Sequence, residues 1–566
     1  MNKSKIKITA AFFFIMVFLS AWLCSCEYED FELFESLDNV DEAGSENSIV
    51  EEEYIGSEEF FLELKEKQEN KNPLNDINVR KAIFYAIDRE EIVKELFGDY
   101  NEVLDSLFLK NSYFHHPSWS EYDHDLSKAK DFLSNVGYGT DNPLYITIGS
   151  RNNHSNYKVI EDMIKEDLDE IGIKIWIFNK PPEEWYPDYV IKGNYELGLW
   201  SIENSYGSGL NSLFNSEKLP SYETAENKDC LNFYWYSNSD IDEVLKEIME
   251  EKEYEEKKEL FGQFQDVLAD DAVILPLYSR LITIAYNNEK LKKIDVDIKN
   301  NKVSYNVENW NLSDEESEII IGCEGEDCGP VDLFDSNYLK DLILADLWEI
   351  DKKGEYEPVL VKESDNISEL EVAVLLKDDI FWEDGEPITS EDVAYTYNIL
   401  LANEDLIGMD EDYFKIEKID VVNEKEFNIV FKEYFEDWKR LFGIVFPDGT
   451  LEERDLYDFS IEDTEASGRY KIAEYISGDY LLLEKNEFYS GKESGIDRIK
   501  ILFDSDINNL IGMLRAQEID LVKVPFDLNL MSILEEDGDV DLLVEPGDLL
   551  EHIAISLKPV EESESV

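Results

Sequence analysis

Five histidines are spread along this 566-residue chain, at His115, His116, His124, His154 and His552. None stands in an HExxH pair that would hold a catalytic zinc. His115 and His116 are adjacent, and adjacent residues on a strand or loop point apart, so surface or packing is the favoured reading over a metal pair. Neither a GxSxG nucleophile turn nor a phosphate-cradling GxxxxGKS or GxxxxGKT loop is present. Cys323 and Cys328, in CEGEDCGP, could close a small disulfide loop in an oxidising compartment. Metal binding by this pair is less favoured, because zinc sites take about four ligands and no His or further Cys is near. Cys230 stands alone and reads as buried and inert. With 130 Asp and Glu, carboxylate pairs occur everywhere and say nothing about acid–base catalysis. No catalytic set, resident metal or cofactor motif is expected, which leaves binding as the function to look for.

The charge balance narrows the partners. Against the 130 acids stand 52 Lys and Arg, a formal charge of -78. Such a surface repels nucleic acid and anionic headgroups and keeps the chain solvated. A 43% hydrophobic content supports a sizeable core in more than one lobe, and 13% aromatics argue against wholesale disorder. At the front, Lys3, Lys5 and Lys7 precede the apolar run Ile8–Ser25, which reads as a secretory signal or, alternatively, a membrane anchor. The LCSC at Leu23–Cys26 resembles the bacterial lipobox, which implies that residues 1–25 are removed and Cys26 is acylated and tethers the chain to the membrane. The acidic stretch that follows, within 26–72, lacks periodicity and reads as a flexible tether.

The elements that would position a site begin at Asn75. NDINVRKAIFYAIDREEIVKELF, 75–97, has the pattern of one amphipathic helix. A second helix is expected over Glu121–Tyr138, closed by Gly137, then a strand at Leu144–Ile148, a helix at Val159–Ile171 and a strand at Ile173–Phe178. A strand at Tyr195–Trp200 precedes one long helix over Asp240–Leu268, whose EEKEYEEKKE run is its wet face. Strands alternating with helices indicate an α/β lobe. Further on, Asp384-Gly385 is a tight-turn pair and Thr389 a helix N-cap.

NDINVRKAIFYAIDREEIV, YDHDLSKAKDFLSNVGY, YELGLWSIEN and AVILPLY resemble, in this order, the second half of the bacterial extracellular solute-binding proteins of family 5, the peptide-binding group that serves ABC importers. SEIIIGCEGEDCGPVDLF, LADLWEIDKKGEYEPVLVKE, LLKDDIFWEDGEPITSEDVAYTYNILL (with Trp382, Asp384, Gly385, Thr389, Asp392 and Val393), SGRYKIAEYISGDYLLLEKNEFYSG and GMLRAQEIDLVKVP resemble that family's first half. The resemblance implies a two-lobed α/β fold of the type II periplasmic-binding-protein kind, with mixed sheets flanked by helices and a ligand cleft between the lobes. Because the halves stand in reverse order, a circular permutation is expected, with fusion of two broken copies as the alternative. The expected lobes are 73–277 and 317–559, with 278–316 as crossing and joining segment and 560–566 as an acidic tail. Cutting the family chain at one of its two crossings would leave a single covalent crossing near Pro276–Arg280.

The resemblance also points to a site in LWSIENSYG. It implies that Glu203 pairs with the α-amino group of a bound peptide, beside Asn204, with Trp200 and Tyr206 as an apolar wall (Trp200 as core is the alternative). Family members carry Asp where this chain has Glu203, one methylene longer. From the other lobe Glu324 and Gly325 would run beside the ligand backbone, while Trp382 reads as core. The implied function is capture of a short peptide, or another small solute such as a nickel complex, an oligosaccharide or an opine, by a lipid-anchored monomer at the outer face of a bacterial membrane, and delivery to an ABC permease. A surface sensor or adhesion protein of the same fold is the rival.

Overall fold

The computed structural model describes residues 58–66, 72–203, 208–220, 230–251, 253–294, 296, 306–313, 317–325, 340–350, 356–402, 411–435, 438–450, 461 and 464–559. Two compact units emerge. The first comprises the described residues of Cys26–Arg280 together with those from Asp548 onward, and the second is Leu281–Gly547.

In the first unit β1 (Leu144–Arg151) runs parallel to β2 (Ile173–Lys180), in register from Leu144 opposite Ile173 to Arg151 opposite Lys180. It is also parallel to β3 (Leu197–Glu203). The last part of β18 (Val540–Ile555) lies antiparallel on β3, and the start of β4 (Ile274–Asn287) follows it in the strand order. The crossover helix Ser155–Ile171 buries Tyr157, Ile160, Ile164, Leu168 and Ile171 at helical spacing, over strands whose Leu144, Ile146, Ile148 and Ile173 are fully buried. A short helix, Glu58–Glu66, packs on β1, with Phe61 edge-on to Tyr145 at 5.5 Å.

Two helices expected to be continuous are broken. The first stops at Ala86, and Asp88 caps a new helix, Arg89–Phe97, by accepting from Glu91 N–H. Arg89 accounts for the break. It is buried, and its guanidinium donates to the carbonyls of Leu104, Pro276, Trp119 and Tyr122, which a straight helix would not bring together. The long helix over 240–268 is likewise two, Ser239–Glu250 and Tyr254–Asp270. Between them Glu251 turns its carboxylate onto Glu253 N–H, inside a run of like charges that disfavours unbroken helix. The helix expected from Glu121 starts at Leu126, because Asp125 accepts from Ser127 and Lys128 N–H and caps it there.

The second unit has strands β14 (Tyr470–Ile476), β15 (Tyr480–Lys485), β16 (Arg498–Asp504), β7 (Glu318–Glu324) and β17 (Leu521–Val524), followed by the latter part of β4. Here β7 is parallel to β16 and β17, and β17 is antiparallel to β4. A separate four-stranded sheet, β10 (Val361–Ser368), β11 (Glu371–Leu376), β13 (Glu426–Phe431) and β12 (Ile416–Asn423), covers its own core, of which Trp382 is part. Gly385, at φ +88, turns the chain as expected, with its N–H on Trp382 O. Thr389 donates both its N–H and its hydroxyl to the Asp392 carboxylate in the first turn of the helix Ser390–Ala402, so the acid is the acceptor at this helix start.

The chain passes between the units twice, at 280/281 and at 547/548, where a single crossing was expected. The reason is that β18 does not stop at the second passage. It continues into the first unit and pairs with β3 through Ile555, so residues 548–559 belong with the first unit rather than with 317–547. Both passages are therefore covalent.

Gly172 joins the crossover helix to β2 at φ +94, and a Cβ there would lie 2.3 Å from the Gly139 carbonyl carbon. Gly172→Ala is expected to cost roughly 1–3 kcal/mol in denaturant unfolding. Gly137→Ala, at φ +86 with open space around it, should cost only about 1 kcal/mol.

Candidate functional site

Because β1, β2 and β3 are parallel, their carboxyl ends share one edge, the edge at which open α/β sheets bind ligands. Arg151 ends β1, Glu203 ends β3, and the crossover helix begins just beyond at Ser155. The antiparallel β18 returns along this edge, with Leu549 opposite Glu203 and Glu551 opposite Ser201.

The side chains gathered here are polar and buried. Glu551 is 1% exposed; it accepts from Arg280 Nε and, at 2.8 Å, from the Tyr157 hydroxyl. The His154 ring stacks on Tyr157 at 4.1 Å, and the Arg151 guanidinium, on a residue 1% exposed, lies 5.9 Å over the same Tyr157 ring. His154 Nδ1 is buried without a hydrogen-bond partner. Burial alone would raise the Glu551 carboxyl, but the Arg280 guanidinium and the two hydrogen bonds outweigh it and hold it at about 2. Burial, then the Arg280 charge, pushes His154 down to about 3, so its imidazole is neutral at physiological pH. Two guanidiniums, one carboxylate and two neutral rings are thus gathered, largely buried, at this edge.

One layer deeper, Glu161 is fully buried and accepts from Asn179 Nδ2 at 2.8 Å; Asn179 Oδ1 in turn accepts from the Ser150 hydroxyl. Burial raises its carboxyl to about 7 against the pull of those amide and hydroxyl donors. In the core, His552 shares a 3.0 Å hydrogen bond with Tyr234, and burial lowers it to about 4.

The residues singled out in the sequence fall as follows. Glu203 ends β3 on the edge just described. Asn204, Tyr206, Cys26 and Cys328 lie outside the described residues. Trp200 is core: it is 1% exposed and packs on Tyr195, Tyr234 and His552. In the second unit Glu324 is exposed at the carboxyl end of β7, and Gly325 follows at φ +149 with its N–H on Asp504 O and open space where a Cβ would stand. Cys323 precedes them and is half-buried. His115 and His116 turn to separate carboxylates, Asp105 and Asp266. Among the described residues no group of three or more His, Cys, Asp or Glu could hold a metal ion. Sequence reasoning missed Arg151, Tyr157, Arg280 and Glu551. Arg151 and Tyr157 fall between the strand expected to end at Ile148 and the helix expected to begin at Val159, Arg280 closes the expected crossing, and Glu551 carried no signal.

The profile of the "Bacterial extracellular solute-binding proteins, family 5 Middle" matches residues 28–219 and 355–559, well over half of the chain, and the chain belongs to that family. It is 25% identical over 222 residues to the glutathione-binding protein GsiB of Salmonella typhi, an overlap of 38% of this chain and 41% of that protein. The chain therefore spans about 41% of the length of the curated relatives it matches. Among solved structures it is similar to NikZ from Campylobacter jejuni in complex with Ni(L-His), at 21% identity, TM-score 0.36, and 39% and 46% coverage of the two chains. It is also similar to the oligopeptide-binding protein AppA from Bacillus subtilis in complex with a nonapeptide, at 19% identity, TM-score 0.32, and 37% and 44% coverage. Among the described residues no helix is long and apolar enough to cross a membrane.

Glu161 gives this layer a pH dependence with a definite sign. Its folded value, about 7, lies above the ordinary 4.5, so its contribution is fully present below pH 4.5 and is lost as pH rises through 7. Glu161→Gln cannot ionise and keeps an oxygen for Asn179. Between about pH 4.5 and 8, wild-type stability should fall relative to this variant by roughly 1–3 kcal/mol in urea unfolding. The depressed His154 works in the opposite direction, its contribution lost as pH falls from 6.5 toward 3, but it is common to both proteins and cancels. A flat difference would remove Glu161 as the titrating group.

Proposed function

We propose that this chain is the solute-capturing lipoprotein of an ABC importer, that its solute is a short peptide, and that its two halves stand in circularly permuted order. The observation that carries the ligand reading is the polar edge of the first unit. A short peptide is a zwitterion, and the reading is supported by Glu203 ending β3 at the carboxyl edge of the parallel strands. Glu203 takes the α-amino group as a charge-assisted contact. Family membership supports capture rather than catalysis. Acylation at Cys26 holds the protein at the outer face of the membrane, where it works as a monomer with its permease.

The permuted order draws on three further observations. The family profile matches in two separate blocks. The overlap with GsiB covers 38% of one chain and 41% of the other, which is what an alignment in chain order recovers when halves are exchanged. The two ends of the folded body also meet: Asn72 Nδ2 donates to Ser556 O at 3.0 Å and to Lys558 O at 3.3 Å. That is the arrangement left by opening a once-continuous segment at this point.

Two experiments test these readings. Thermal unfolding with tripeptides, including glutathione, should show stabilisation that disappears when the peptide amine is acetylated and in Glu203→Ala. A response to a nickel–histidine complex, an oligosaccharide or an opine, with none to any peptide, would sink the peptide reading. For the permutation, a rewired chain should start at Ser317, run to Lys558, continue from Asn72 and end at Ser313. It is expected to melt within a few degrees of the native order and to bind the same peptides. A rewired chain that does not fold would favour a fusion of fragments.

A further inference from the structure

We propose that Glu161 is a pH-sensitive latch on the carboxyl end of β1 and β2: neutral, it holds the last rungs of this strand pair against the crossover helix, and ionised, it lets that end and the turn into the helix open. Glu161 stands in the second turn of the crossover helix, which packs on both strands. Asn179 and Ser150 face each other in register as the penultimate residues of β2 and β1. One carboxyl therefore ties the helix to the end of two strands, through the 2.8 Å contact from Asn179 Nδ2 and the 3.2 Å contact between Asn179 and Ser150. The next rung, Asn152 N–H on Lys180 O at 2.8 Å, closes the pair. Beyond it the turn is poorly satisfied. Asn153 Oδ1 and His154 Nδ1 are buried without a hydrogen-bond partner, so this turn opens to water more readily than the strands below it.

Glu161 is fully buried, and its Oε1 has no hydrogen-bond partner. A neutral carboxyl suits this cradle of amide and hydroxyl. A carboxylate keeps one oxygen bare, and opening to water is what satisfies it. The charged group that acts on Glu161 is Asp162, its neighbour on the helix, which favours the neutral form further. On the facing strands Lys174 pairs with Asp169, Lys180 with Glu184, and Arg151 lies over the Tyr157 ring. On the helices packed against the crossover helix, Arg80 and Arg89 donate to backbone carbonyls and Lys128 lies over Tyr85. At the start of the helix, Glu551 and His154 are held at about 2 and about 3, so neither changes charge near neutral pH. Asp167, further along, is also raised by burial, and accepts from Asp88 N–H away from this turn.

Hydrogen exchange of the full chain tests the latch, with no solute added, so the outcome is independent of the peptide reading. Exchange over residues 149–156 and 177–181 is read as the ratio of wild type to Glu161→Gln at each pH, which cancels the pH dependence of the exchange chemistry. The open state ionises from the ordinary 4.5 and the closed state from about 7, so the ratio should rise by at least about tenfold between about pH 5 and 7 and level off above. These segments should also exchange faster than Leu199–Ile202 of β3, at a rate little changed by low urea, because a local opening exposes little surface. Should Glu161→Gln fail to fold, Glu161→Leu/Asn179→Leu removes the carboxyl and its amide partner together and is read in the same way. A ratio flat with pH overturns the proposal. So do segments that exchange no faster than β3 and accelerate equally with urea, since they report global unfolding rather than a latch.

Discussion

A carboxylate at 1% exposure stays ionised only where its charge is met from several sides, and Glu551 is met by Arg280 and Tyr157. That demand fixes three elements at once. β4 must bring Arg280, β18 must run on past the passage at 547/548 to bring Glu551, and the crossover helix must begin where Tyr157 can reach. The polar edge of the first unit follows from this arrangement, since Arg151 and His154 are held around the same Tyr157 ring. Satisfying one buried charge therefore ties together the strands by which the chain leaves this unit and the start of the crossover helix.

The ends of the folded body show the same economy. Glu196 serves both of them: its carboxylate accepts from Lys65, near the beginning, and from Thr147, while its carbonyl accepts from Ser556 N–H, near the end. Lys558 then reaches the Lys192 carbonyl and Asn194. These contacts hold residues hundreds of positions apart in the sequence beside one another in the first unit.

Much of the fold could be read in advance where the signal was local. The alternation of β1, crossover helix and β2 was legible from periodicity, and Asp384-Gly385 and the Thr389 cap from turn and cap chemistry. The breaks at Asp88 and Glu251 were not legible. Arg89 interrupts a good amphipathic pattern to reach four carbonyls, one of them Pro276, almost two hundred residues away. Trp200 had the composition of a ligand wall and turned out to be core, because the burial of a strand face depends on what covers it, here Tyr195, Tyr234 and His552.

The sequence by itself determined the family and the α/β alternation, because each is carried by short stretches whose residues interact with near neighbours. It also singled out Glu203 through such a stretch. Only the tertiary structure decided that the chain passes twice between its units, that its ends converge on Glu196, and that Arg280 and Glu551 meet. Those outcomes depend on pairings between residues up to several hundred positions apart. In a chain with 130 acids, nothing local distinguishes the one carboxylate that must be buried from those that remain in water.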